Sequence, residues 1–179
     1  MIFNPEQDYY ASFNANHRAI IIYTSSIANL IILDFKYSPY IFNLDASNDV
    51  LGRTILQALE HSRTIDKQEQ EAIYFPWEKY KQHYEDWLAH LCEALGCKTK
   101  RTLLKNMMRC SVWLKNRRIE IHPTRHVKLE AYNGLPDEED VILSLDNTPE
   151  EIGAGLRLAL SRCHGPGRMR DKLLKKPST

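Results

Sequence analysis

Histidines and cysteines are the residues of this chain best suited to bind metals, and two pairs of them are closely spaced. His122 and His126 have the four-residue separation of zinc proteases, but that motif needs a helix and a glutamate after the first histidine. Here Pro123 follows His122, and the surrounding pattern is that of strands. Cys92 and Cys97 lack the second ligand pair of a tetrahedral zinc site. We therefore predict no metal site and interpret both histidines as solvent-facing strand residues.

Nucleophilic catalysis and phosphate binding often leave short local motifs, and none is present. No serine lies in a GxSxG sequence. The seven glycines are scattered, and the Gly153-Ala154-Gly155 triplet lies inside a predicted helix instead of between a strand and a helix. We predict no catalytic residue and no cofactor. An acid–base pair assembled only by folding leaves no motif, so a small enzyme of that kind stays as an alternative.

The composition is that of a folded globular protein. With 179 residues, 43% hydrophobic and 26% charged, the chain fits one domain that buries about 70% of its unfolded surface. Four cysteines without CxxC spacing favour buried thiols in a reducing compartment. The N-terminus has no secretory pattern, and the longest apolar run, Ala19 to Tyr23, is too short to span a bilayer. We expect a cytoplasmic protein without a membrane partner.

The stretch from Met107 to Tyr132 has the clearest strand pattern. Breaks at Asn116-Arg117 and Pro123-Thr124 predict two tight turns, and therefore three strands. A lone meander cannot bury its apolar face, so helices from elsewhere must cover it. The apolar residues that alternate with polar ones, and are predicted to face the core, are Ile119, Ile121, Val127, Leu129 and Ala131.

Other strands are predicted on both sides of this meander. Residues 18–24 and 29–35 are β-branched runs without alternation, which is typical of strands covered on both faces near the middle of a sheet. Residues 40–44 suggest a short third strand. Val141 to Leu145 fits either an edge strand or a single helical turn.

Amphipathic spacing predicts three main helices. The first is capped at Ser47 or Asn48, and the last has Thr148 as its cap with Glu151 completing a capping box. Gly52 and Gly153 occupy equivalent places in these two helices, and a close backbone approach to a neighbour would explain them. The middle helix starts at Pro76 and ends near Gly96, preceding a short helix over residues 100–106. Its stripe, for which we predict core packing, is Trp77, Tyr80, Tyr84, Trp87, Leu88, Leu91 and Leu95.

The predicted fold is therefore a single α+β domain with a mainly antiparallel central β-sheet and amphipathic helices packed on it. This domain covers residues 18–164. Residues 1–17 are expected to form an N-terminal arm, and residues 165–179 a basic mobile tail.

Charge is unevenly spread, although the formal net charge is only +1. Residues 165–179 hold five basic side chains and one acidic side chain and contribute +4, so +1 minus +4 leaves −3 for the body. The tail and strand cations could bind phosphates, which makes a nucleic-acid-binding regulator an alternative function. These strand cations are Lys115, Arg117, Arg118, Arg125 and Lys128. Against this alternative, the body is net acidic and the tail is short.

Two helical motifs carry a family resemblance. They are LGRTILQALEHSR, from Leu51 to Arg63 after the Leu44-Asp45 pair, and PEEIGAGLRLALSRC, from Pro149 to Cys163. The segment from Gly96 through Lys98-Thr99 to Leu103 lies between them. In this order and spacing, over about residues 18–164, the chain resembles a bacterial family of immunity proteins from contact-dependent growth inhibition systems, the CdiI type.

The resemblance implies a binding protein and not an enzyme. Such immunity proteins stay in the cytoplasm and bind the toxic C-terminal domain of a large CdiA-type exoprotein delivered by a sibling cell. Many of these toxin domains are nucleases, and inhibition typically comes from covering or flanking the active site. The shared motifs are scaffold and supply no catalytic residues. This chain departs from the family's usual acidic character, because its tail makes it nearly neutral.

A nuclease active site holds phosphates and is usually basic, so we expect its inhibitor to present acidic groups. No lysine or arginine occurs between Lys128 and Arg157, and the acidic residues of this segment are the predicted toxin-contacting site. The predicted partner-binding residues are Asp137, Glu138, Glu139, Asp140 and Asp146. The structural alternative is a solvated loop, with Glu150 and Glu151 simply favourable charges at a helix N-terminus. Tyr9, Tyr10, Trp113 and Tyr132 are candidate aromatic anchors.

Overall fold

Eight antiparallel strands form one curled sheet in the computed structural model, which describes residues 3–165. The strands are β1 (Tyr9–Ala15), β2 (Ile20–Ala28), β3 (Leu30–Leu33), β4 (Tyr40–Phe42), β5 (Met108–Lys115), β6 (Arg118–Lys128), β7 (Ala131–Gly134) and β8 (Val141–Ser144). Their order is β3-β2-β1-β5-β6-β7, with β4 also paired to β2 and β8 to β6. β2 is buried on both faces, as its unalternating sequence predicted. The same prediction is wrong for β3, which among the described residues pairs only with β2 and exposes Leu30 and Ile31.

Helices cover both faces of this sheet, and the predicted α+β architecture is confirmed. They are α1 (Asn48–Glu60), α2 (Lys67–Glu69), α3 (Trp77–Ala94), α4 (Lys100–Leu104) and α5 (Pro149–Arg162), with a π-helical turn at Gln70–Tyr74 and a 3-10 turn at Asp137–Glu139. α1 and α5 pack on one face, over the inward side chains of β1, β5 and β6. The buried residues of α3 and α4 pack on the other face, over β2. No helix among the described residues is long and apolar enough to cross a membrane.

The N-terminal segment supplies a strand near the middle of the sheet. β1 pairs with β2 on one side and with β5 on the other, and all seven of its residues are buried. The sequence had suggested an arm over residues 1–17. It did not reveal β1, because a strand covered on both faces has no alternation of polar and apolar residues. Residues 166–179, nearly all of the predicted basic tail, lie outside the described part of the chain.

The meander has the three predicted strands, but only one of its two turns lies where expected. Asn116 and Arg117 form the first turn, with φ of 48° and 62°, the left-handed conformations of a two-residue hairpin loop. The predicted turn at Pro123-Thr124 is wrong: β6 continues through both residues, and the chain turns at residues 129–130. Proline has no backbone N–H to donate to a neighbouring strand. It is tolerated here because Pro123 lies between the residues of β6 that pair with β8 and those that pair with β7.

The sequence break at Pro123-Thr124 instead marks a change of face. Both residues are buried, so the alternation of β6 shifts by one position there. Before the shift, Ile119 and Ile121 face the core as predicted. After it, Val127 and Leu129 are 44% and 36% exposed, so the prediction that they face the core is wrong.

α1 and α5 approach each other through the two glycines noted in the sequence. A Cβ added to Gly52 would lie 1.9 Å from the carbonyl oxygen of Pro149, and one added to Gly153 would lie 2.0 Å from that of Asn48. Each glycine therefore contacts the first residue of the other helix. The predicted close approach is confirmed, and the capping box of Thr148 and Glu151 that starts α5 is also present.

Candidate partner-binding surface

The predicted partner-binding residues Asp137, Glu138, Glu139 and Asp140 lie together between β7 and β8. Asp137 and Glu138 are exposed, on the 3-10 turn. Arg162 at the end of α5 donates from Nη1 to the carbonyl oxygens of Glu139 and Asp140, at 2.8 and 3.0 Å. We call residues 137–140 the acidic turn. Because Arg162 binds its backbone, the turn presents two exposed carboxylates on a fixed support.

Asp140 has a different role from its neighbours. Its side chain is only 11% exposed, and its carboxylate oxygen lies 2.8 Å from Nδ1 of His122. The other ring nitrogen of His122 lies 3.6 Å from a carboxylate oxygen of Glu120, and the ring packs against Trp113 with centroids 4.3 Å apart. Asp140 therefore ties the acidic turn to the face of the sheet that carries Trp113.

Asp146, the fifth predicted residue, lies at the opposite end of β8. β8 alone spans about 13 Å at ~3.3 Å per residue, so Asp146 is not part of the acidic turn. Its side chain is 73% exposed and pairs with Arg117 from the β5–β6 turn. Glu150 and Glu151 have local structural roles, since Glu150 accepts a hydrogen bond from Asn48 and Glu151 completes the capping box. The sequence thus predicted one acidic segment where the fold forms two separate sites.

His126 and the pair Cys110 and Cys163 lie in the interior of the fold, where each contacts neighbouring residues. His126 is 8% exposed, stacks on Tyr132 and approaches the carbonyl oxygen of Leu129, so the prediction that it faces solvent is wrong. Among the described residues, no three or more histidine, cysteine or acidic side chains are grouped to hold a metal. Cys110 and Cys163 are buried with their sulfurs 3.5 Å apart, and burial raises the pKa of the Cys110 thiol.

The strand cations considered for phosphate binding are mostly engaged in ion pairs. Lys115 lies 3.6 Å from Asp8, and Arg118 lies 3.2 Å from Glu120. Arg117 pairs with Asp146. The five cations therefore do not form one free basic surface on the described part of the chain.

An aromatic cleft of about 470 Å³ lies between the sheet and α3. Its helical wall is an unbroken series of rings: Trp77 and Tyr80 have centroids 5.5 Å apart, Tyr80 and Tyr84 6.2 Å, and Tyr84 and Trp87 6.1 Å. Its sheet wall includes Tyr23, Arg109 and Trp113, and Ile31 of β3 also lines it.

Arg109 is the cation of this aromatic cleft, and it has no carboxylate partner among the described residues. One Nη atom donates to the Tyr23 hydroxyl at 2.5 Å, and the guanidinium carbon lies 4.7 Å from the Tyr132 ring centroid. Burial raises the pKa of Tyr132 to about 12 and also raises that of Tyr84. These phenols are therefore neutral at physiological pH and do not balance the guanidinium charge.

The sequence did not predict this cleft. Leu88 and Leu91 of the helical stripe are 1% exposed, as predicted for core residues, but Trp77 is 67% exposed. Tyr9 and Tyr10, suggested as exposed anchors, are buried, so that suggestion was wrong. One signal was available: the stripe is aromatic in its first half and leucine-rich in its second. Aromatic residues with polar groups are typical of half-exposed surfaces.

An α+β domain with an acidic turn and an aromatic cleft at its surface has the features of a protein that binds another macromolecule. The chain belongs to the family described as CDI immunity protein, whose model matches residues 9–163. The match begins at β1 and ends just after α5, so it spans the whole sheet and both helices of the α1–α5 pair.

Individual relatives agree with this assignment. The chain is 37% identical over 169 residues to the immunity protein CdiI-YPIII of Yersinia pseudotuberculosis serotype O:3, covering 87% of this chain and 96% of that protein. It is similar to a protein of unknown function from Neisseria meningitidis, with 53% identity and a TM-score of 0.86 over 92% of this chain and 100% of that one. A chain of the CdiA-CT/CdiI toxin and immunity complex from Yersinia pseudotuberculosis matches with 34% identity and a TM-score of 0.79, over 88% and 98%.

Proposed function

We propose that this protein binds and neutralises the C-terminal toxin domain of its cognate CdiA-type exoprotein, that this toxin is a nuclease, and that the complex covers or flanks the toxin's active site. The observation that carries the proposal is the match to a chain of a CdiA-CT/CdiI complex, which extends over 98% of that chain. A likeness over the whole fold supports the same mode of action. The protein acts in the cytoplasm of the recipient cell, where it meets the delivered toxin.

The acidic turn is the surface we propose for the nuclease active site. Its two exposed carboxylates, Asp137 and Glu138, complement the positive potential that a phosphate-binding site requires. Because Arg162 fixes the turn, binding needs little further ordering of that backbone. Asp146 carries less free charge, since Arg117 partly neutralises it.

Mixing the purified chain with the C-terminal toxin domain of its cognate exoprotein tests the main proposal. We expect a stoichiometric complex by size-exclusion chromatography and loss of toxicity in cells that express both proteins. Cleavage of cellular RNA or DNA by the free toxin, suppressed in the complex, would support the nuclease assignment. A toxin that stays active and elutes alone would contradict the proposal.

Charge reversal tests the acidic turn. The double variant Asp137→Lys and Glu138→Lys should slow association about tenfold at low ionic strength and weaken its salt dependence, because electrostatic steering is lost. Glu60→Lys is the control for a single charge reversal elsewhere on the surface and is compared with Asp137→Lys alone: Glu60 is exposed at the end of α1 and forms no ion pair among the described residues. Association rates measured by stopped-flow fluorescence should be unchanged for the control. Equal rates for the double variant and the wild type would rule out the acidic turn.

A further inference from the structure

We propose that the aromatic cleft receives an acidic side chain, an aspartate or glutamate on an apolar loop of the toxin domain, and that this carboxylate pairs with Arg109. The inference rests on the proposed function, since it takes the toxin as the partner. It adds a second contact region of opposite charge to the acidic turn.

The charge of Arg109 is the first reason. Of the five N–H groups of its guanidinium, one donates to Tyr23, and Nε has no partner among the described residues. Glu130 also lines the aromatic cleft, but its carboxylate is 3.1 Å from the ammonium of Lys100. A half-buried guanidinium without a counterion is electrostatically unfavourable. An incoming carboxylate would supply charge-assisted hydrogen bonds in a site where water is partly excluded.

The apolar rim is the reason for choosing a protein loop over a small anion. Trp77 is 67% exposed and Ile31 is 43% exposed, and both line the mouth of the aromatic cleft. Leu30, next to Ile31 on β3, the first strand in the order of the described sheet, is 63% exposed. A small anion would leave these side chains in water. A loop that carries the carboxylate would cover them, and about 470 Å³ accommodates more than a single acidic side chain.

A series of side-chain contacts also links the aromatic cleft to the acidic turn. Trp113 lines the cleft and packs on His122, and His122 lies within hydrogen-bonding distance of Asp140. One partner can therefore contact both regions without crossing the sheet. The cleft also has the residue types that dominate binding energy at interfaces, namely tryptophan, tyrosine and arginine.

Variants at the rim provide the first test. Trp77→Ala and Ile31→Ser should each weaken binding of the cognate toxin domain, with a loss of about tenfold or more for Trp77→Ala. Leu158→Ser is the matched control, because Leu158 is 48% exposed on α5, which packs on the opposite face of the sheet. Dissociation constants from isothermal titration calorimetry should be unchanged for the control. An unchanged constant for Trp77→Ala would overturn the inference.

A double-mutant cycle identifies the pairing. Each aspartate and glutamate of the toxin domain is changed to its amide and titrated against the wild type and against Arg109→Gln. One toxin carboxylate should lose about tenfold in affinity against the wild type and little against Arg109→Gln. If no carboxylate is coupled to Arg109, the inference is refuted. Should Arg109→Gln fail to fold, as judged by circular dichroism, the rim variants decide the question.

These outcomes separate the two proposals. If the wild-type protein does not bind the toxin domain, the proposed function and the cleft inference both fail. If it binds and the rim variants bind equally well, only the cleft inference fails.

Discussion

Replacing Gly52 by alanine should strongly destabilise the protein, because there is no space for a methyl group between α1 and α5. The new Cβ would lie 1.9 Å from the carbonyl oxygen of Pro149, and contacts of this kind below 3.0 Å are essentially never observed. The two backbones must therefore separate by about 1.1 Å, the difference between these distances. A flexible side chain could relieve such a contact, but a backbone carbonyl at the start of a packed helix cannot do so without moving the helix.

The magnitude follows from what that movement disturbs. Leu51 and Ile55 on α1, and Ile152 and Leu156 on α5, are all 0% exposed, so separating the helices loosens the core beneath them. Overpacking a core costs about 1–3 kcal/mol, and a backbone contact belongs at the upper end of that range. Alanine returns up to ~1 kcal/mol through its better helix propensity. We expect a net loss of about 2 kcal/mol, which corresponds to a decrease in Tm of roughly 4–8 °C for a domain of this size.

Urea and thermal unfolding followed by circular dichroism would measure this effect across a graded series. Gly153→Ala should match Gly52→Ala, since its Cβ would meet the Asn48 carbonyl at 2.0 Å. Gly155→Ala should cost less, because its Cβ would meet the end of the Leu143 side chain. Gly134→Ala is the control: its Cβ would have no atom of the described residues within 4 Å apart from its chain neighbours, so stability should change by less than about 0.5 kcal/mol. Equal stabilities for Gly52→Ala and Gly134→Ala would refute the argument.

Three further predictions concern the core, a helix cap and the thiols. Asp34 is fully buried and bound by Arg63 at 2.9 Å, and although burial alone would raise its pKa, the hydrogen bonds from Arg63 and its neighbours hold that pKa below its usual value. The carboxylate therefore stabilises the fold above about pH 4, and this contribution is lost as the pH falls through the lowered pKa. Asp34→Asn should lower the free energy of unfolding by about 3 kcal/mol at pH 7 and should weaken the decrease of the urea midpoint at acidic pH. The same decrease of the midpoint in the variant as in the wild type would contradict this prediction. Thr148→Ala removes the acceptor for the first-turn amide of α5 and should lower the free energy of unfolding by about 1 kcal/mol in urea titrations. An unchanged free energy of unfolding would show that this cap does not stabilise the protein. A thiol reagent should modify the partly exposed Cys92 before the buried Cys110, and mass spectrometry of the native protein would measure the order of labelling. Labelling of Cys110 as fast as that of Cys92 would contradict this and would show that the core opens there.

Local chemistry in the sequence was enough to place most helices. The cap of α1 at Ser47, the capping box of α5 and the positive-φ glycine after α3 depend on residues within one or two turns of each other. Such signals do not depend on the rest of the fold. The equivalent glycines of α1 and α5 also correctly indicated a close approach, although the sequence did not say that each helix was the other's neighbour.

Strand placement was less predictable where a strand is covered on both faces or changes face. β1 shows no alternation because both of its faces are buried, and the face change at Pro123 depends on which strands flank β6 at that point. A residue's side of a strand is visible in the sequence only while the alternation continues without interruption.

The sequence by itself determined the family, the α+β class and the position of most helices, because these depend on the order of residues and on short-range backbone chemistry. Only the tertiary structure decided the candidate binding surface. It separated Asp146 from the acidic turn by the length of β8, buried Tyr9 and Tyr10, and left Trp77 at the rim of a cleft that contains Arg109. The physical reason is that exposure and charge pairing are set by residues distant in sequence, which only the pairing of the strands and the packing of the helices on the sheet bring together.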